Sequence, residues 1–314
     1  MKVIYKKLPS SKVKCIATIG VFDGIHLGHR FILEKLKKEA CRRGLPSLVI
    51  TFDVPPETVL EKSHRHKPDE FHGFLTDAEE KKDILASCGI EYLWFLKTNR
   101  PLLKLSGKEF IEYLFNNFSP EHLLIGEDFR FGYKGKSGIR YLKKISTKYG
   151  FEVKVLKKIR KYGKIISSSL IRQLIKNTEF PKIKNFLGRD YFVKGKVIKG
   201  TAVGRKLGFP TANIDYDGYV IPQDGVYAAI VEIANRKYLS AVNIGERPSI
   251  NKSTGKILEA HIINFKRNVL GKKIKLQFLK KIRNEKKFSS KERLISAIRK
   301  DVNRIKKYYQ KPAK

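Results

Sequence analysis

Cysteine is scarce in this sequence: Cys15, Cys41 and Cys88 are the three present in 314 residues, and their spacing is neither paired nor metal-like. That argues against a disulfide framework and points to a reducing, cytoplasmic compartment. Long apolar runs are missing, so no transmembrane helix is expected. No apolar stretch long enough for a signal peptide follows the basic residues of segment 1–9. Acidic residues are few: 30 Asp+Glu stand against 67 Lys+Arg, a formal net charge of +37. Such a balance suits a polyanion partner, and equally the capture of small anionic substrates. The lysines run along the whole chain instead of gathering in one arm or stripe, and Lys, Ile, Phe, Tyr and Asn are abundant together, as in an AT-rich coding bias. No nucleic-acid partner is therefore expected. There is no internal repeat, and no GxxxxGK[ST] motif occurs, which argues against a Walker-type kinase.

What is present fits two domains, since 314 residues with an apolar fraction of 41% exceed one typical core. The first half alternates short apolar runs, read as strands over 15–20, 47–52, 92–96, 122–126 and 152–156, with helical patterns over 31–43 and 139–149. Thr76-Asp-Ala-Glu79 and Ser106-Gly-Lys-Glu109 read as capping boxes opening two more helices. Strand–helix alternation at this spacing predicts a parallel sheet covered by helices. After Leu187 the pattern changes to β-rich runs over 192–198, 225–233, 238–244, 258–264 and 273–278, an antiparallel barrel or sandwich. Ser289-Ser-Lys-Glu292 then caps a final helix. The boundary is placed near 185–190, giving domains 1–186 and 187–314.

One constellation follows the first strand. In Gly20-Val-Phe-Asp-Gly-Ile-His-Leu-Gly-His29, Gly24 and Gly28 let backbone approach a phosphate, and the helix N-terminus offers N–H groups to an anion. His26 and His29 can present donors to charge developing in nucleotidyl transfer. The bland alternative is a solvated turn with both histidines as caps. In Ile166-Ser-Ser-Ser-Leu-Ile-Arg172, Ser167 and Ser168 can donate hydrogen bonds and Arg172 can clamp phosphate oxygens; an N-capping serine run is the alternative. Between them lies Leu124-Ile-Gly-Glu-Asp-Phe-Arg-Phe-Gly132, where Asp128 can bind a ribose or adenine group. Phe129 and Phe131 are pocket candidates, one of them expected in the core.

The GxFDGxHxGH, GxDFxFG and ISSxxIR patterns, in this order, resemble the N-terminal module of bacterial bifunctional riboflavin kinase/FMN adenylyltransferases, of the HxGH nucleotidyltransferase superfamily. The resemblance implies a Rossmann-like domain using ATP and FMN with bound Mg²⁺. It implies phosphate contacts at His26, His29, Ser167, Ser168 and Arg172, and nucleotide contacts from Asp128 and the segment holding Gly20, Phe22, Asp23, Gly24 and Gly28. Ser169 stands where the family usually has Thr, which keeps the hydroxyl. Thr51-Phe-Asp-Val-Pro-Pro56 matches a family loop only loosely and is assigned no contact.

The second half carries Gly195-Lys-Val-Ile-Lys-Gly-Thr-Ala-Val-Gly-Arg-Lys-Leu-Gly-Phe-Pro-Thr-Ala-Asn213. Gly200, Gly204 and Gly208 suit a loop whose backbone meets phosphates. Thr211 and Asn213 point to one face of extended backbone and offer hard oxygen ligands for Mg²⁺. In the strand around Glu259, alternation puts Leu258, Ala260 and Ile262 on one face, with Glu259 and His261 on the other. Glu259 is a candidate proton acceptor, although alternation alone favours an exposed Glu on a wet strand face.

GRxLGFPTAN, PxxGVY, NxGxRP and the ExH strand resemble the riboflavin kinase module of the same family. This implies a six-stranded β-barrel with a C-terminal helix, metal ligands at Thr211 and Asn213, nucleotide contacts at Gly204 and Gly208, and Glu259 as catalytic base. Ile282-Arg-Asn-Glu-Lys-Lys-Phe288 resembles the flavin-site segment and places Arg283 near the flavin. Lys199 and Ser249 depart from the family's usual His and Thr. The implied partners are riboflavin, FMN and ATP as substrates, with no membrane or nucleic acid, for a monomer or weak homo-oligomer. His64, His66 and His72 share a polar loop without paired metal spacing, read as a loop over the adenylylation site. Trp94 is expected in the core.

Overall fold

In the first half of the chain the central strand runs 47–52 and 92–96 are largely buried on both faces, as in a parallel sheet with helices on each side. The computed structural model describes residues 1–4, 12–61, 73–200, 203–216, 218–246 and 256–309. The loop histidines 64, 66 and 72, the departure at Ser249 and the tail 310–314 lie outside the described residues. By density of internal contacts the chain divides into two units, Met1–Leu170 and Ile171–Lys314.

In the first unit the elements are, in order, β1 (Lys2–Ile4), β2 (Val13–Ile19), α1 (Leu27–Arg43), β3 (Ser47–Phe52), α2 (Pro56–Glu61), α3 (Ala78–Ser87) and β4 (Tyr92–Leu96). They continue with α4 (Arg100–Lys104), α5 (Gly107–Phe115), β5 (Phe118–Gly126), β6 (Arg130–Phe131), β7 (Ser137–Gly138), α6 (Ile139–Tyr149), β8 (Glu152–Leu156), β9 (Arg160–Lys161) and β10 (Lys164–Ile165). The main sheet has the order β1-β4-β3-β2-β5-β8, with all neighbours parallel. This is the expected Rossmann-like arrangement. β2 has β3 on one side and β5 on the other, so the strand order reverses there. Ligands in open α/β sheets bind at the carboxyl ends of the strands beside such a reversal. Alternate residues feed two cores: Ala17, Ile19, Leu48, Ile50, Trp94 and Leu123 pack on one side, and Ile16, Val49, Leu93, Phe95 and Leu124 on the other. Trp94 is core as expected.

The helix α7 (Ser168–Lys176) spans the division between the units. The second unit continues with α8 (Phe180–Leu187), β11 (Val193–Ile198), α9 (Val203–Lys206), β12 (Ala212–Asp215), β13 (Gly225–Ile233), β14 (Arg236–Glu246), β15 (Lys256–Ile262), β16 (Lys273–Arg283) and α10 (Lys291–Tyr309). Six strands close as β11-β12-β15-β14-β13-β16, every pair antiparallel. A barrel is thus realised, not a sandwich. Register shifts along β13 and β16, between Val226 and Tyr227 and between Ala228 and Ala229, bend this pair. Val226, Ala228, Ala241 and Ile282 form an apolar patch with Val302 and Ile305 of α10.

Helix starts show where local pattern is a sufficient guide. The Ser106–Glu109 capping box forms as read, with both reciprocal hydrogen bonds. The other two boxes do not. Asp77, not Thr76, caps α3 by accepting from Glu80 N, because the Thr76 hydroxyl is engaged by Gly24 N–H at 3.0 Å. At α10 the Arg293 N–H donates to Ser290 Oγ at 3.3 Å, while Ser289 Oγ instead accepts from the Arg293 guanidinium at 3.1 Å. Replacing Ser290 by Ala therefore lowers the stability of the barrel unit by about 1 kcal/mol. Ser289→Ala changes it much less, as urea unfolding of the two variants will show.

Candidate active sites

The segment after β2 leaves the sheet through backbone of unfavourable hand. Phe22 has φ 49°, Gly24 82° and Ile25 37°. Glycine accepts such angles, but an aromatic or β-branched residue is strained there. A set of hydrogen bonds holds the turn. Asp23 Oδ1 accepts from Leu75 N at 2.8 Å and Thr76 N at 3.2 Å. Gly24 N–H donates back to Thr76 Oγ1. Ser168 Oγ donates to the Asp23 carbonyl at 2.8 Å. The Val21 carbonyl accepts from Thr51 Oγ1 at 3.0 Å and from Lys81 Nζ at 3.0 Å. Sequence reasoning missed Thr51, Thr76 and Lys81. The available signal for Lys81 was its place on the buried stripe of α3 with Leu85, where an apolar residue belongs.

This turn aims α1 and its two histidines. His26 is the N-cap, its Nδ1 accepting from His29 N at 3.2 Å. The capping role is therefore real. With Nδ1 accepting, the neutral tautomer carries its proton on Nε2. The rings of His26 and His29 stack at 3.8 Å, and Phe22 lies 5.0 Å from His29. A Cβ on Gly28 would come within 3.0 Å of the His26 ring, so this glycine makes room for the stack. Gly20 lies against the Phe22 ring in the same way. Burial first, then His26 and Lys81, hold His29 well below its ordinary pKa. The ring is neutral at physiological pH.

At the carboxyl end of β5, Asp128 is exposed and pairs with Lys158 at 2.9 Å. Phe131 is buried in the core and Phe129 packs partly buried against it, which resolves the choice between them. Ser167 Oγ caps α7 by accepting from Leu170 N at 3.2 Å. The serine run is thus a capping run as well as a candidate phosphate contact. Arg172 follows Ser168 by one helical turn along α7.

In the barrel, β12, β15 and β14 are neighbours, and Asn213, Glu259 and Asn243 stand directly opposite one another across them. They form a polar row on one face, while Leu258, Ala260 and Ile262 are buried on the other. Asn243 is a residue that sequence reasoning did not single out. Two glycines of the preceding loop fit onto this site. A Cβ on Gly200 would overlap the Asn213 amide, and one on Gly204 would lie 2.5 Å from the Phe209 carbonyl and 3.0 Å from Thr211 Oγ1. These glycines are thus required by close approach to the Asn213 amide, the Phe209 carbonyl and the Thr211 hydroxyl. Gly208 has φ 83° in the turn after α9. His261 Nδ1 lies 2.9 Å from the Pro210 carbonyl. A carbonyl only accepts, so Nδ1 carries the proton and anchors the chain just before Thr211. Arg283 already has a partner within the fold: its Nε donates to Asp301 Oδ2 of α10 at 2.9 Å, and its guanidinium lies 5.5 Å from the Phe288 ring.

Fold and sites together define a two-module protein: an α/β nucleotide-binding unit with a histidine-bearing turn, and a closed barrel with an acid–amide row. Comparison with known proteins makes this specific. A family model described as FAD synthetase matches residues 8–170, and one described as riboflavin kinase matches 187–309. The bifunctional riboflavin kinase/FMN adenylyltransferase of Buchnera aphidicola subsp. Schizaphis graminum is 35% identical over 308 residues, covering 97% of this chain and 96% of that protein. Its namesake from Escherichia coli K12 is 33% identical over 303 residues, 95% of each. A solved structure from Streptococcus pneumoniae, described as a macrolide-efflux protein, matches with a TM-score of 0.77 and 28% identity over 96% of this chain and 97% of its own. Among the described residues no helix is long and apolar enough to cross a membrane. The chain belongs to the bifunctional riboflavin kinase/FMN adenylyltransferase family.

The burial of His29 yields a direct expectation. In a histidine-resolved NMR titration, its ring signals stay constant through pH 6.5 and move only well below it, whereas an exposed imidazole is half-protonated near pH ~6.5.

Proposed function

We infer that the chain makes FAD in two ATP-dependent steps, the barrel phosphorylating riboflavin and the α/β unit adenylylating the resulting FMN. The observation that carries this is the coincidence of each family match with a unit that holds its own built site. Residues 1–186 are assigned to adenylyl transfer and 187–314 to the kinase.

In the kinase step Glu259 accepts the proton of the ribityl 5′-hydroxyl as that oxygen bonds to the γ-phosphorus of ATP, and ADP leaves. Phosphoryl transfer rests mainly on positioning and charge stabilisation, so one carboxylate among oriented amides suffices. The donor set suits a hard cation: Thr211 supplies a hydroxyl and Asn213 an amide, both fixed by close-fitting glycines. These two would hold Mg²⁺, which supplies neutralising charge to the phosphate oxygens. Gly204 and Gly208 bring the loop to the nucleotide, and Arg283 orients the flavin from the end of β16.

In the second step a phosphate oxygen of FMN bonds to the α-phosphorus of another ATP, and pyrophosphate leaves. His26 and His29 donate hydrogen bonds to the phosphate oxygens, and the N-terminus of α1 places partial positive charge beside them. Ser167, the backbone N–H of Ser168 and Arg172 contact the phosphates at and within the start of α7, since the Ser168 hydroxyl proton goes to the Asp23 carbonyl. Gly20, Phe22, Asp23, Gly24 and Gly28 shape the turn around the nucleotide, and Asp128 binds its ribose or adenine. The small anionic substrates and free cysteines fit a cytoplasmic setting.

Product chromatography after mixing the protein with riboflavin, Mg²⁺ and ATP tests this reading. FMN appears first and FAD follows. Neither product from a folded sample would sink the proposal. Glu259→Ala loses FMN formation, while His29→Ala loses roughly 10²–10³ in the rate of FAD formation from supplied FMN. Gly200→Ala displaces Asn213, so it depresses FMN formation and leaves FAD formation from supplied FMN intact.

A further inference from the structure

We propose that Lys81 is a positioning residue for adenylyl transfer, its ammonium latching the histidine-bearing turn to the end of the neighbouring strand. This rests on the reading of the α/β unit as the adenylylation site.

Lys81 is 1% exposed. A lysine is almost never so buried unless its charge is matched, because desolvation of an ammonium is costly. Here Nζ donates to two carbonyls, Val21 O at 3.0 Å and Phe52 O at 3.0 Å. These belong to the chain leaving β2 and to the last residue of β3, two adjacent parallel strands. One side chain from α3 therefore ties together two strand ends at the edge where the ligand is bound. The Val21 carbonyl comes immediately before the strained Phe22–Ile25 turn. The hydrogen bonds from Leu75, Thr76 and Ser168 act further along the turn, while Thr51 Oγ1 shares the Val21 carbonyl from within β3. Lys81, with Thr51, thus fixes the point from which the turn departs, and Lys81 adds the tie to the Phe52 carbonyl.

The charges around it come from each adjoining segment: Asp23 and His29 from the turn and α1, Asp53 from the chain after β3, and Asp77 at the start of its own helix. Burial pulls the ammonium down to about 8, with the three aspartates opposing that shift. It is charged at neutral pH, and its field helps keep His29 unprotonated. Lys81 acts through the turn and through His29, without being assigned any contact with substrate.

FMN formation in the barrel reports folding of the second unit, and the thermal unfolding transition of the α/β unit, followed in the same samples, reports folding of the unit that holds Lys81. In Lys81→Met, the kcat of FAD formation from supplied FMN falls by roughly 10²-fold, as expected when reacting groups are misplaced by about an ångström. The KM for ATP changes by less than about threefold, and FMN formation keeps its rate, which is the pattern of lost positioning. Wild-type protein gives a second readout that does not depend on the variant folding. Its kcat/KM for ATP in FAD formation declines above pH ~8 as Lys81 loses its proton, and Lys81→Arg, which stays charged, abolishes that decline. An unchanged kcat in Lys81→Met overturns the proposal. So does a loss of FAD formation that comes with loss of the thermal unfolding transition of the α/β unit, whether or not FMN formation persists, which marks a merely structural lysine. A flat wild-type profile from pH 7 to 9 overturns it as well. If wild-type protein forms FMN but no FAD at all, the reading of the site fails instead.

Discussion

The α/β unit depends on one constraint: the chain must reverse after β2 through backbone that its own residues resist. Phe22 and Ile25 both have positive φ, and each such residue costs on the order of 1–3 kcal/mol. The compensation comes from four separate places in the sequence: Thr51, the 75–76 backbone with the Thr76 hydroxyl, Lys81 and Ser168. Each hydrogen bond contributes about 1 kcal/mol, and those to charged groups somewhat more. The histidine pair is therefore a product of long-range folding. It cannot preorganise before β3, α3 and the start of α7 are in place.

That dependence explains what was legible in the sequence. Strands over 47–52 and 92–96 coincide with the observed elements because burial on both faces leaves a plain apolar run, and the strand over 152–156 and the helix over 139–149 coincide because their apolar residues recur at the strand and helix periods. The short helices α2, α4 and α9 are too brief to show a period. The Ser106 box was readable because all its partners lie within one helical turn. Thr76 was misread because its hydroxyl is claimed by Gly24, far away in sequence. Ser289 was misread because either serine of a pair satisfies the same local pattern. The histidines, the serines of α7 and Glu259 were visible as motifs. Lys81 belongs to no motif, and its burial appears only once α3 docks.

The two sites are built on different principles. The α/β site presents backbone N–H groups and imidazoles at a helix start, an arrangement that favours oxygen-rich anions. The barrel site sets Asn213, Glu259 and Asn243 side by side on a rigid antiparallel ladder. Its precision comes from register, and a one-residue slip of β15 would turn Glu259 to the opposite face, away from Asn213 and Asn243. Glycine serves both sites, but as a space-maker: Gly28 admits the His26 ring, and Gly200 admits the Asn213 amide.

The strand ends and edges carry a consequence of a different kind. The barrel is closed and presents no edge, and the open sheet stops at β1, three residues long, and at β8. Exposed positions of β8 include Glu152 and Lys154, which come with full desolvation penalties if another strand approaches. Short, charged or absent edges deny a neighbouring molecule the template for strand addition, and the net charge of +37 adds mutual repulsion between copies. Once folded, a polypeptide rich in β-structure is in this way guarded against cross-chain sheet growth at high concentration.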